Sequence, residues 1–309
     1  MLSRRSVRVK VMQILYTMTC DEGMTLDEAI KTYWSSVGSS FDLLLFNIYN
    51  IVEITRVAVT DAEKRSTKHL ISDYDKVFSD KLFSNPLIQD LEHNPQLAKD
   101  FKKLGFQDKI DADYFKKLYK EFSEKDEYKA YIENPEGDHL AILLELYRFC
   151  RASDYFNEVM EDHFMYWTDD KSLIIGALKK CLKSLPSENK GFYKELYPDN
   201  ETVKEYGEEL LKRTYQEDTT LLDIIKPLLK NWDHERVAQI DMISIKMATA
   251  ELLHFPTIPT KVSLNEYVEV SKHYSTPKSK DFINGVLDKV LHDLMDEGKI
   301  NKEGRGLVE

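Results

Sequence analysis

Apolar residues recur every three to four positions along most of this 309-residue chain, and the alternation typical of β-strands is almost absent. This periodicity predicts an all-α protein. The first helix is expected to begin after Ser3, which can cap it. Its apolar residues form one stripe, made of Val7, Val11, Ile14, Leu15 and Met18.

The pattern predicts a second helix over 25–37 and a separate long helix that begins after Ser39–Ser40. From about 70 to 200 the helices are shorter and are punctuated by Asn-Pro pairs. In each pair the asparagine is a candidate N-cap and the proline a candidate first helical residue. These pairs are Asn85-Pro86, Asn94-Pro95 and Asn134-Pro135.

In the last third of the chain, the apolar pattern predicts helices over 203–231 and 234–254, and Asp233 would cap the second one. The segment Ser263–Glu266 fits a capping box and would open the next helix. Thr276-Pro277 would then be the cap and the first position of the last helix.

Composition indicates a soluble globular protein, since 42% of the residues are apolar and 31% are charged. No uninterrupted apolar run approaches the ~20 residues that span a bilayer, and the N-terminus does not resemble a signal peptide. Three distant cysteines favour reduced thiols. We therefore expect a cytoplasmic protein with no membrane contact.

The net charge of −11 is unevenly distributed, because the first twenty residues contain four cations and no acid. An acidic chain can bind a polyanion through such a local patch, because distant charges are screened. No Gly-rich phosphate loop, HExxH, paired CxxC or GxSxG motif is present. We therefore predict no enzymatic activity, no metal and no cofactor.

One face of the first helix lies beside its apolar stripe and combines Arg5, Arg8, Met12 and Tyr16. Arginine can hold a phosphate in bidentate fashion, and methionine and tyrosine suit contacts to a partner. Alternatively, Met12 and Tyr16 broaden the core contact while the arginines maintain solubility. The helix alone does not distinguish the two interpretations.

Two stretches of the chain carry distinctive motifs. The first is SRRSVRVKVMQILYTM (3–18), which is rich in arginine. The second is 250–291, which contains the turn IPTKV from Ile258, the pair Asn265-Glu266 and FINGVLDK from Phe282. Together they resemble the first helix and the C-terminal half of the NusB family of transcription antitermination factors, and the combination is specific.

The resemblance implies an all-α, NusB-like fold of two small helical subdomains. It covers 1–40 and 203–309, which would form a discontinuous core that binds RNA and NusE. The remaining 41–202 would be an additional α-helical insertion of unknown role. Either the insertion is a packing extension, or it is a docking surface for another component of the transcription complex.

The resemblance also implies a function without catalysis. NusB-like proteins bind boxA, a single-stranded segment of nascent RNA, together with NusE, which is also a small-subunit ribosomal protein. The complex joins the antitermination complex of RNA polymerase and promotes read-through, chiefly on ribosomal RNA operons. Whether the free protein is a monomer or a homodimer is left open.

Site residues follow from the resemblance position by position. Met12, Tyr16 and Asp241 would face NusE. Asn284 and Gly285 would be structural, with Gly285 allowing close packing, or they would contact RNA, and the sequence leaves both interpretations open. The residues implied to contact RNA are Arg4, Arg5, Arg8, Tyr274, Lys278, Ser279, Lys280 and Phe282.

Two alternatives remain at this stage. The chain could be a helical adaptor that binds proteins but not RNA. It could also be a regulatory RNA-binding part related to ribosomal RNA cytosine methyltransferases, although nothing resembling a catalytic domain follows the NusB-like part.

Overall fold

A computed structural model describes residues 1–229 and 237–303. Every regular element in these two ranges is helical, which confirms the prediction of an all-α protein. The chain forms two compact units. The central unit comprises Gly38–Tyr197 together with Met1, and the terminal unit comprises Leu2–Val37 and Pro198–Glu309.

Fifteen α-helices lie within the described ranges. In chain order they are α1 (Arg4–Cys20), α2 (Leu26–Ser66), α3 (Asp73–Val77), α4 (Pro86–Glu92), α5 (Pro95–Lys103), α6 (Ala112–Ser123), α7 (Asp126–Glu133), α8 (His139–Ala152), α9 (Asp154–His163), α10 (Trp167–Lys183), α11 (Glu209–Gln216), α12 (Asp218–Ile225), α13 (Gln239–His254), α14 (Thr260–Tyr274) and α15 (Ser279–Asp296). Short 3₁₀ turns occur at Phe106–Asp108, Phe192–Leu196 and Lys226–Leu228, and a π-helix covers Glu201–Glu208.

Helix α1 begins as predicted, because the Ser3 hydroxyl accepts a hydrogen bond from the Ser6 amide. The predicted break at Ser39–Ser40 is wrong, since α2 continues through it. The Ser40 hydroxyl donates to Asp170 Oδ2 at 2.5 Å, so it has a partner inside the central unit and does not cap a helix.

Helix α2 is long enough to cross a membrane, and one 18-residue window in it has a mean hydropathy high enough for a membrane span. Polar residues interrupt the apolar ones along α2, so the sequence contains no uninterrupted apolar run that would reveal this property. Of that apolar window, 72% is buried inside the protein, so the helix serves as a core helix. Its residues Leu44, Phe46 and Ile48 are fully covered in the core of the central unit.

The asparagine caps in the central unit are confirmed at two of three places. The side chains of Asn85 and Asn94 accept hydrogen bonds from amides in the first turns of α4 and α5. Asn134 instead ends α7, and Asp138 caps the next helix.

The C-terminal third departs from the predicted boundaries. The segment predicted as one helix over 203–231 is divided among the π-helix, α11 and α12 within the described residues. The predicted cap Asp233 lies outside those residues. The last helix begins at Ser279, two residues after Pro277.

The predicted capping box at Ser263–Glu266 is wrong, because α14 begins earlier, at Thr260. Ser263 therefore lies inside the helix, where its hydroxyl donates to Glu251. Glu266 is directed toward the arginines of α1.

Candidate nucleic-acid and partner interface

A buried ion pair joins α1 to α13 in the terminal unit. Arg8 Nε donates to Glu251 Oε2 at 2.9 Å, and Arg8 Nη2 donates to Glu251 Oε1 at 2.6 Å. The Arg8 side chain is 2% exposed and that of Glu251 is 0% exposed. Arg8 was predicted to contact phosphate, but in the structure its guanidinium is enclosed and bound to a carboxylate.

Three hydroxyl groups complete the surroundings of Glu251. They belong to Tyr206, Ser263 and Tyr267, which donate at 2.6, 2.7 and 3.1 Å. The rings of both tyrosines also lie against the Arg8 guanidinium, with centroids 5.3 and 5.6 Å from its Cζ. A fully hydrogen-bonded buried charge of this kind fixes the relative positions of four helical segments.

Charge and hydrogen bonding determine the ionisation of this buried pair. Burial opposes the charged form of Glu251, but the hydrogen bonds and charge of Arg8 outweigh it and lower the pKa of the carboxyl. Burial likewise opposes the charged Arg8, and the hydrogen bond to Glu251 raises its pKa above the usual value. Both groups are therefore charged at neutral pH.

Arg5 and Arg4 remain at the surface of the terminal unit. Arg5 forms a bidentate ion pair with Glu266, with both N–O distances at 2.7 Å, and its side chain is 58% exposed. Arg4 Nη2 lies 3.0 Å from Glu201 Oε1. Both arginines are accessible to a ligand, although each already has a carboxylate partner.

The turn after α14 and the first turn of α15 present two exposed lysines, Lys278 and Lys280, and the residues that flank them in the sequence, Tyr274 and Phe282, are half-buried. Phe282 and Lys278 line one cavity in the terminal unit. Of the residues predicted here, these four are placed where an external ligand can reach them.

Ser279 was predicted to contact RNA, but it is 3% exposed. Its hydroxyl donates to Asp241 Oδ2 at 2.6 Å and lies 2.9 Å from the hydroxyl oxygens of Ser275 and Thr276. Asp241, predicted to face NusE, is itself 5% exposed. These two residues connect the start of α15 to α13, so we no longer assign them to the RNA and NusE surfaces.

Glycine at 285 does not serve the predicted close packing. A Cβ added to Gly285 would have no heavy atom within 4 Å. Gly285 and Asn284 are exposed, and the Asn284 side-chain amide donates to Asp288 Oδ2 at 3.1 Å. A Cβ at Gly207 would instead lie 2.0 Å from the Tyr33 hydroxyl oxygen, so Gly207 is a glycine required by packing.

The two residues of α1 that were predicted to face a protein partner differ in solvent exposure. Met12 is 2% exposed, so it broadens the core contact and was wrongly placed on the partner face. Tyr16 is 40% exposed. It is one turn from Thr19, which lines an open groove of about 590 Å³ between α1, the α11–α12 junction and α13. The apolar part of this groove is formed by Leu15, Met18, Tyr215, Met242 and Ile243.

The sequence prediction missed Glu251, Tyr206, Tyr267 and Gly207. Glu251 carried a detectable signal, since it is an acid within the apolar stretch ATAELL. Such an acid indicates either a buried partner or an exposed edge, and only the fold decides between them. Within the described residues, no cluster of His, Cys, Asp or Glu could hold a metal ion.

The fold and this surface together define an all-helical binding protein. Its accessible side chains are arginines, lysines and aromatic rings, which suit contacts to a ligand. The family model described as "NusB family" matches residues 168–292. This match begins in α10 of the central unit and does not include α1.

Three curated relatives carry the name transcription antitermination protein NusB. The protein of Salinibacter ruber is 42% identical over 110 residues, which is 36% of this chain and 69% of the relative. That of Chloroherpeton thalassium is 44% identical over 79 residues, which is 26% of this chain and 37% of the relative. That of Natranaerobius thermophilus is 37% identical over 90 residues, which is 29% of this chain and 65% of the relative.

The chain belongs to the NusB family. It is longer than these relatives, so a large part of it has no counterpart in the matched segments. No solved structure matches the chain.

Proposed function

We propose that this protein is a transcription antitermination factor that binds boxA-type single-stranded RNA together with NusE and acts on RNA polymerase at ribosomal RNA operons. The family membership supports the general activity. The observation that carries the RNA proposal is the accessible set formed by Arg5, which is paired with Glu266 of α14, and by Lys278, Lys280 and Phe282 around the start of α15.

These residues suit single-stranded RNA in two ways. An aromatic ring can stack on an unpaired base, which contributes roughly 1–3 kcal/mol. Arginine and lysine add a salt-dependent phosphate contribution. We therefore retain Arg4, Arg5, Tyr274, Lys278, Lys280 and Phe282 as the RNA surface and treat Arg8 as the residue that positions it.

For NusE we propose the surface that contains Tyr16 and the neighbouring groove of α1, α11–α12 and α13. An exposed tyrosine beside an apolar depression is a common anchor of protein interfaces. A small RNA patch alone should bind weakly, so NusE would complete the recognition surface.

For the rest of the chain we propose the following. The NusB-like core consists of 1–40 and 203–309, most of which lies in the terminal unit, and 41–202 is an insertion. The protein is soluble, cytoplasmic and without catalytic activity. The central unit has its own covered core, built largely from aromatic side chains, as expected of an insertion that folds as a unit.

The decisive experiment is titration of fluorescent boxA-type RNA, taken from a ribosomal RNA leader of the same genome, with the full chain and with or without its NusE. We expect weak, salt-sensitive binding alone and at least tenfold tighter binding with NusE. Phe282→Ala should weaken binding, and Phe83→Ala in the central unit is the control. Equal affinity with and without NusE, or no dependence on salt, contradicts the proposal.

A protein adaptor without RNA binding is the second candidate. One observation favours it, because Arg4 and Arg5 are both paired with carboxylates. The double variant Arg5→Gln, Phe282→Ala distinguishes the two functions. An adaptor would keep its antitermination activity in a transcription assay, whereas an RNA-binding factor would lose it.

A further inference from the structure

A cavity of about 730 Å³ lies along one face of α15 in the terminal unit. Three of its lining residues, Phe282, Gly285 and Lys289, follow one another at intervals of three and four positions, which is the spacing of a single helical face. Lys278 and Asp281 line the same cavity at the start of the helix. We call the space beside these five residues the α15 cavity.

Three charged side chains of the α15 cavity are exposed and available to a ligand. Lys278, Asp281 and Lys289 form no ion pair with any of the described residues. Arg5 on the proposed RNA surface is, by contrast, held by Glu266. The cavity therefore offers two cations to phosphate groups and one carboxylate to hydrogen-bond donors, and none of the three must first leave an ion pair.

The rest of the cavity lining is largely apolar. Its aliphatic side chains are Leu228, Leu229, Val237, Ala238 and Val286. Phe282 adds a half-buried aromatic ring, and a Cβ at Gly285 would meet no atom within 4 Å, so the space beside that glycine is open. An apolar space next to charged groups suits a nucleobase, because the faces of a base stack on apolar surface while its edge forms hydrogen bonds.

The carboxylate of Asp281 indicates which base fits. Asp241 also lines the cavity, but it is 5% exposed and accepts a hydrogen bond from Ser279, so Asp281 is the accessible acid. An ionised carboxylate only accepts hydrogen bonds, and it does so through two oxygens side by side. Guanine presents two adjacent donors on its Watson–Crick edge, N1–H and the N2 amino group, whereas the other three bases present one donor group beside acceptors. Guanine is therefore the base that can satisfy both oxygens.

We propose that the α15 cavity binds one guanosine of the RNA, with its base edge on Asp281 and with phosphates on either side of it held by Lys278 and Lys289. This inference rests on the proposed RNA-binding function and deepens it. Asp281 would select the base, and Lys289 would extend the RNA surface along α15. The two lysines are about three helical turns apart, or about 16 Å along the axis, so they contact different phosphates.

The test uses oligouridine RNAs that differ only at one central position, which holds guanosine, inosine, cytidine or uridine. Inosine lacks the N2 amino group of guanosine and so removes one of the two donors. The full-length protein, with its NusE present, is titrated by fluorescence anisotropy over a series of salt concentrations. The variants are Asp281→Asn and Lys289→Gln. Their controls are Asp288→Asn and Lys299→Gln, which remove the same charges from residues that do not line the cavity.

We expect the RNA with guanosine to bind about tenfold more tightly than the RNA with uridine, the size of one good base contact, and the RNA with inosine to lie between them. Asp281→Asn should reduce this preference, because an amide offers a donor as well as an acceptor. Lys289→Gln should keep the preference and lower the salt slope by about 0.7, the contribution of one phosphate contact on a single strand. Both controls should match the wild type, and the urea midpoint of each variant confirms that it is folded.

The other outcomes overturn one proposal or both. Equal affinity for all four RNAs in a wild type that binds boxA-type RNA, or a guanosine preference that survives in Asp281→Asn, overturns the role of the cavity while the proposed function stands. Guanosine monophosphate that binds as tightly as the RNA with guanosine assigns the cavity to a free nucleotide and overturns the RNA assignment. If the wild type binds neither the oligouridines nor boxA-type RNA, the proposed function fails and this inference fails with it.

Discussion

Arg8 and Glu251 form a bidentate ion pair inside the terminal unit, although 243 residues separate them in the chain. The carboxylate also accepts hydrogen bonds from two tyrosines and a serine. The pair thus ties the arginine-rich helix α1 to α13, α14 and the π-helix. The exposed Arg5 lies one turn from Arg8, so this interior network sets the position of the proposed RNA surface.

Glu251→Gln should lower the free energy of unfolding by about 3–5 kcal/mol, because it leaves the buried Arg8 without its counter-charge. Urea denaturation followed by circular dichroism measures the effect, and hydrogen exchange should locate it in the terminal unit. The matched control is Glu201→Gln, which removes the exposed partner of Arg4 and should cost less than about 1 kcal/mol. Equal effects of the two changes would contradict the structural role of the pair.

The stability of the terminal unit should depend on pH through the same carboxylate. The folded pKa of Glu251 is below its usual value, since hydrogen bonds and charge from Arg8 overcome the effect of burial. Its contribution is therefore complete above the unfolded pKa of about 4.3 and is lost as pH falls through the folded pKa. Melting temperatures from pH 7 to pH 3 should fall more steeply for the wild type than for Glu251→Gln. Parallel curves would argue against this assignment.

Local signals in the sequence predicted local structure well. Ser3 caps α1, and Asn85 and Asn94 cap α4 and α5, because each hydrogen bond is formed within three residues of the cap. The all-α class follows from a periodicity that is equally local. Each of these features depends only on residues that are close together in the sequence.

The failures involve partners that are distant in sequence. Ser40 was interpreted as part of a helix break, but its partner Asp170 is 130 residues away. Arg8 was interpreted as exposed because nothing near it in sequence shows that Glu251 will enclose it. For the same reason Ser279 and Asp241, whose side chains form a hydrogen bond with each other inside the protein, were assigned to surfaces.

Glu266 should restrain RNA binding in the free protein. Its carboxylate accepts hydrogen bonds from Nε and Nη2 of Arg5 and so occupies one of the two edges of the guanidinium that could hold a phosphate. Glu266→Gln should therefore tighten RNA binding by up to about fivefold, since an exposed ion pair contributes ~0.2–1 kcal/mol. RNA titration at constant salt measures this change.

The control for this effect is Glu145→Gln. It removes the nearer of the two carboxylates beside Arg148 in the central unit and changes the net charge by the same amount. Its RNA affinity should equal that of the wild type. Unchanged or weaker binding by Glu266→Gln would show that Arg5 does not exchange Glu266 for phosphate.

The two helical glycines Gly285 and Gly207 should respond oppositely to alanine. A Cβ at Gly285 meets no atom within 4 Å, and alanine is favoured over glycine in a helix interior, so Gly285→Ala should stabilise the protein by about 0.5–1 kcal/mol. A Cβ at Gly207 would lie 2.0 Å from the Tyr33 hydroxyl oxygen and 2.4 Å from Val7 Cγ1. Gly207→Ala should therefore destabilise it by about 1–3 kcal/mol.

Gly285 lines the same cavity as Lys278 and Phe282, so a methyl group there would project into the proposed RNA surface. Gly285→Ala should consequently weaken RNA binding severalfold while it raises the melting temperature. These opposite shifts are expected of a glycine that serves close approach of a ligand, since a glycine required by the fold would lose stability and binding together. Urea unfolding and RNA titration of the same preparation measure both quantities. A stabilised Gly285→Ala protein with wild-type affinity would remove Gly285 from the RNA surface.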